Sequence, residues 1–112
     1  MCDSRCASES ARILAGPSRI VSLEPTNLRQ ILDNILTVGE VAGREEQARA
    51  VTLSLQERIA QVAAVASPVT SRPRVFCMER MDPPMAGGHW VPEMIRLAGG
   101  IDGVAVRATV RF

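Results

Sequence analysis

The chain has 112 residues, enough for one small domain, and its apolar share of 46% is that of a globular protein rather than a disordered one. Thirteen basic residues, all arginine, stand against 12 acidic ones, so the net charge is +1. A near-neutral chain carries no electrostatic footprint for nucleic acid or an anionic membrane surface.

The first 18 residues are small and polar. They hold a short helical possibility from Ser8 to Ala15, ended by Gly16-Pro17. The opening Met1-Cys2-Asp3-Ser4-Arg5-Cys6 lacks the apolar core of a secretory signal. No apolar run reaches the ~18–20 residues that cross a bilayer. As written, the expectation is a soluble, cytoplasmic chain without a membrane span. Cys2 and Cys6 could bridge or bind a metal, but an odd cysteine count with no nearby histidine favours free thiols, and Cys77, in an apolar stretch, reads as a small core residue.

Arg19-Ile20-Val21-Ser22-Leu23 predicts a strand, and Glu24-Pro25-Thr26-Asn27 a turn. Asn27, with Gln30 three residues on, has the form of a capping box. Leu28, Ile31, Leu32, Ile35 and Leu36 then make one apolar helix face, with Gly39 as the expected stop. A second helix is predicted from Gly43 to Ala66, with Glu45 and Glu46 in its first turn and Glu45 paired to Arg49. Its apolar stripe is Ala48, Val51, Leu55, Ile59, Val62 and Ala66. A helix of that length spans roughly 34 Å, about the width of a small domain.

Ser67-Pro68 ends the long helix, and Arg74 to Glu79 predicts a second strand. A proline- and glycine-rich loop follows from Arg80 to His89. Pro92 fits the first turn of a short helix with Val91, Met94, Ile95 and Ala98 on its apolar face, closed by Gly99-Gly100. Two helices separate the two strands, more than a simple βαβ crossover uses, which suits a long helix joining two sheets at least as well as one returning to the same sheet.

Ligands of open α/β sheets bind in loops leaving the carboxyl ends of strands. The loop before the short helix gathers Glu79, Asp82, His89 and Trp90, including the chain's one histidine and one tryptophan. An indole beside an imidazole offers a flat apolar face with a polar edge, suited to a planar or macrocyclic ligand. The plainer alternatives are that Trp90 staples the next helix to the sheet, that His89 is a solvated loop residue, and that Glu79 and Asp82 serve loop hydrogen bonds. No nucleophile-elbow serine or phosphate-binding loop is present, and Cys77, Asp82 and His89 lack recognisable metal-site spacing. Binding without catalysis is therefore expected, with no resident cofactor or metal.

Ile20 to Pro25, Leu28 to Ile35, Val38-Gly39 and Gly43 together resemble the middle of substrate-binding proteins of ABC importers, in the vitamin B12 and iron–siderophore subgroup. Arg74-Val75-Phe76 through Asp82-Pro83-Pro84, with Gly88-His89-Trp90-Val91-Pro92-Glu93 and Leu97-Ala98-Gly99-Gly100, looks most like its cobalamin-binding branch. The resemblance covers about residues 19–100 and implies an α/β fold, with parts of two Rossmann-like lobes bridged by a long α-helix. Residues 1–42 would be a partial first lobe, 43–72 the inter-lobe helix and linker, and 73–112 the start of the second lobe. Glu79, Asp82, His89 and Trp90 would line the cleft for a corrinoid or ferric chelate. Glu9 would dock on the permease. Full members are far longer and are exported to the periplasm or cell surface, and residues 101–112 depart from their pattern. These departures imply a truncated product with uncovered apolar faces. The alternative is a small cytosolic α/β interaction module without a small-molecule ligand.

Overall fold

A computed structural model describes residues 20–104. The Ser8–Ala15 helix, Cys2, Cys6, Glu9 and the tail from residue 105 lie outside those described. Residues 20–26 approach the first helix without joining any sheet, so the strand expected over residues 19–23 is not formed in its described part. An extended segment becomes a strand only when a neighbour takes up its amides and carbonyls. Here none does among the described residues, and Ile20 and Leu23 stay 40% and 41% exposed.

Helix α1 (Leu28–Val41) starts where the capping residues direct. Asn27 is extended, and its side chain accepts from the Gln30 amide at 2.9 Å. The Gln30 side-chain Oε1 reaches back past Asn27 to accept from the amide and hydroxyl of Thr26, at 2.7 and 2.9 Å. The reciprocal box therefore closes one residue earlier than the usual form. Gly39 does not stop the helix, contrary to expectation. The stop is Gly43, at φ +64°, with Arg44 N–H donating to Gly39 O at 2.7 Å and Gly43 N–H to Glu40 O at 3.2 Å. This pair of bonds is a Schellman ending. Gly39 instead lets the next helix approach, since a Cβ there would collide with the Ala48 methyl.

Helix α2 (Glu45–Ala66) follows after a three-residue link, making a helical hairpin with α1. Its buried line differs from the predicted stripe. Ala48, Thr52 and Ala66 are buried and Leu55 and Ile59 half-buried, whereas Val51 and Val62 are 49% and 50% exposed. Val51 and Thr52 flank the helix line through Ala48, and the burial falls on the Thr52 side. Glu45 and Arg49 form no ion pair among the described residues. The pair that does form, Arg29–Asp33 at 4.0 Å, is exposed and contributes little.

The strand expected over residues 74–79 is split in two. β1 (Arg74–Val75) pairs in parallel with β4 (Ile101–Asp102), in the register Arg74↔Ile101 and Val75↔Asp102. β2 (Met78–Met81) forms an antiparallel hairpin with β3 (Pro84–Ala86) around a cis Asp82–Pro83 bond, with an irregularity between Met78 and Arg80. The proline- and glycine-rich segment is thus largely a hairpin arm. Helix α3 (Val91–Leu97) has Pro92 in its first turn and ends in a second Schellman pair, Gly100 N–H to Ile95 O at 2.8 Å and Gly99 N–H to Arg96 O at 3.1 Å. Ile101 and Asp102, in the segment 101–112, are the strand that completes the parallel pair.

The result is a mixed α/β chain. Its buried apolar residues are Leu32, Ala48 and Ala66, and no described side chain is fully enclosed. A Cβ added to Gly99 would sit 3.3 Å from that of Ala66, which fixes the α3 end against the α2 end. No helix among the described residues is long and apolar enough to cross a membrane.

Candidate functional site

β1, the hairpin, α3 and β4 form one unit: two parallel strands whose connection carries a helix and a β-hairpin. Residues 76–90 leave the carboxyl end of β1 and enter α3, the position where open α/β sheets receive ligands. The backbone bond from Gly87 N–H to Cys77 O, at 2.9 Å, closes the base of the hairpin. Chain direction then passes to α3 through Gly87 and Gly88. A Cβ on Gly87 would come within 2.9 Å of a Val91 methyl, so this close approach requires glycine.

His89 lies in the left-handed region at φ +55°, uncommon for a residue with a side chain although histidine is among those enriched there. Trp90 occupies the N-cap position of α3 without a capping side-chain bond, and its carbonyl accepts from Met94 N–H at 3.0 Å. The two rings stand with centroids 5.8 Å apart and planes inclined by 47°. His89 is exposed and Trp90 half-buried. The indole is thus anchored along one side while the imidazole remains accessible.

Glu79, expected at the end of a strand running into the loop, lies within β2, and Asp82 stands at the hairpin turn; both are exposed. No side-chain hydrogen bond or ion pair joins either to His89 or Trp90 among the described residues. Only His89 and Trp90 are brought together as a ring pair. Cys77 is exposed, not the core residue its apolar neighbours suggested, because the strand breaks after Val75 and nothing described covers residues 76–81. Among the described residues no three histidine, cysteine, aspartate or glutamate side chains gather closely enough to hold a metal ion. Glu9, the expected permease contact, lies outside the described residues.

A second candidate feature is a groove of about 410 Å³ between the three helices. Leu28 and Leu32 line it from α1, Ile59 and Val62 from α2, and Met94 and Leu97 from α3, with Arg58 the one charged member. The sequence marks Leu28, Leu32, Ile59, Val62 and Met94 as apolar helix faces but does not signal that the three helices leave a trough between them. Arg58 had no signal beyond standing next to the apolar stripe.

Comparison of the chain with protein-family models, curated proteins and solved structures gives no match. The class the fold defines is therefore mixed α/β, with helices outweighing two small sheets.

Proposed function

We propose that this chain is a solute-binding segment of an ABC import system, taking a corrinoid or ferric-chelate ligand by contact and without catalysis. The observation that carries the reading is the His89–Trp90 ring pair, standing at the end of the connection from the carboxyl end of β1 to α3. A flat indole face with an accessible imidazole edge suits a planar macrocycle. In this reading the permease is the protein partner, the full-length form works in the periplasm or at the cell surface, and α2 is the helix joining two Rossmann-like lobes. Titration with cyanocobalamin tests it, since Trp90 is the sole tryptophan and its fluorescence reports on the site. Saturable quenching matched by heat in calorimetry, and lost in Trp90→Ala with the fold intact, is the expected result. A folded chain that neither quenches nor releases heat removes the corrinoid.

A specific observation favours a second reading, a cytosolic interaction module. Val65 and Met81 are 78% and 81% exposed, and an apolar trough runs over Val65 at the end of α2 and Val69 just beyond it. Exposed apolar stretches of this kind mark protein contacts. A stable homodimer by sedimentation, without corrinoid affinity, is the outcome that selects it.

A further inference from the structure

The helix groove has a chemistry separate from that of the ring pair. Its walls are the facing apolar sides of α1, α2 and α3, and its charged member is Arg58. Arg58 is exposed and has no ion-pair partner among the described residues. Glu93 reaches one end of the groove at Leu28, but its Oε2 is engaged by the Leu28 amide at 2.8 Å. The lining therefore presents a long apolar surface and one unneutralised guanidinium. Its volume of about 410 Å³ falls in the range of roughly 300–1,000 Å³ usual for small-molecule sites.

We propose that this groove binds an aliphatic carboxylate, with the chain along Leu32, Ile59 and Leu97 and the head group on Arg58. The charge argument chooses the ligand. An apolar cation would meet Arg58 with like charge, and a neutral alcohol would leave it without a counter-charge. A carboxylate matches the planar guanidinium fork through paired hydrogen bonds. The proposal does not depend on the corrinoid reading, because the ring pair is not part of this lining.

The test uses the full chain with three probes of equal chain length: decanoate and decyltrimethylammonium, kept below their micelle concentrations, and decanol, kept below its solubility limit. Equilibrium dialysis measures binding to the native protein and to Arg58→Gln, an exposed substitution expected to leave the fold intact. Saturable binding of decanoate in preference to both others is expected. Arg58→Gln should weaken decanoate about tenfold, the factor that loss of one charge-assisted contact produces, and leave decanol unchanged. Equal binding of all three probes, or decanoate binding indifferent to Arg58→Gln, overturns the proposal by reducing the groove to a non-specific apolar surface. So does a dimer, seen by sedimentation, that covers the groove and excludes decanoate.

Discussion

Glu93 Oε2 accepts a 2.8 Å hydrogen bond from the backbone amide of Leu28, across a sequence separation of 65 residues. Leu28 is the first residue of α1, and Glu93 sits in the first turn of α3. One carboxylate therefore stands at the amino ends of two helices, where both dipoles favour negative charge and an otherwise orphaned amide needs an acceptor. It also ties the helical hairpin to the β1–α3–β4 unit.

Glu93→Ala should destabilise the chain by about 1.5–3 kcal/mol, the range for a hydrogen bond to a charged group. Glu93→Gln, which keeps an acceptor oxygen but loses the charge, should cost less. Urea unfolding followed by circular dichroism measures both. Equal midpoints for the alanine variant and the parent would show that the link contributes nothing.

Gly39→Ala sets two effects against each other. Alanine favours an interior helix position over glycine by about 1 kcal/mol. The added methyl would collide with that of Ala48, and overpacking of this kind costs about 1–3 kcal/mol. Net destabilisation is expected, with recovery in Gly39→Ala/Ala48→Gly. A more stable single variant would mean that the helices separate without cost.

Thr52 is 5% exposed, and its hydroxyl oxygen has no hydrogen-bond partner among the described residues. Replacing it with valine keeps the branched shape and removes a desolvated polar atom. Thr52→Val should therefore stabilise the chain by about 1 kcal/mol, read as a higher urea midpoint. A lower midpoint would reveal a partner for that hydroxyl in solution.

Cys77 is an exposed thiol. Under native conditions it should react with Ellman's reagent without prior unfolding, and Cys77→Ser should remove one equivalent from the fast phase. An unchanged fast phase in the variant would place the Cys77 thiol under cover.

Helix boundaries are legible where they are set locally. Asn27 and Gln30 begin α1 through bonds within one turn, Gly99 ends α3 because it accepts positive φ, and Pro92 suits a first turn that needs no amide donor. The juxtaposition of His89 and Trp90 was legible for the same reason, being adjacency along the chain. Gly39 is ambiguous in the sequence, because a glycine near a helix end serves equally as a stop or as a place for close approach. Only Ala48, supplied by the neighbouring helix, distinguishes the two roles.

The strands were less legible. Arg74 to Glu79 has the composition of one strand, yet only Arg74 and Val75 find a parallel partner, and the chain beyond turns back through Asp82–Pro83 into a hairpin. The extent of a strand depends on which distant residues supply its hydrogen bonds, and Ile101 and Asp102 lie well downstream. The Glu93–Leu28 bond, the choice of Thr52 over Val51 for burial and the groove with Arg58 at its lining belong to the same category. Caps, turns and apolar periodicity are properties of a few consecutive residues. Burial, ladder pairing and the place where three helix faces fail to close depend on the positions of residues far apart in the chain, which only packing in three dimensions assigns.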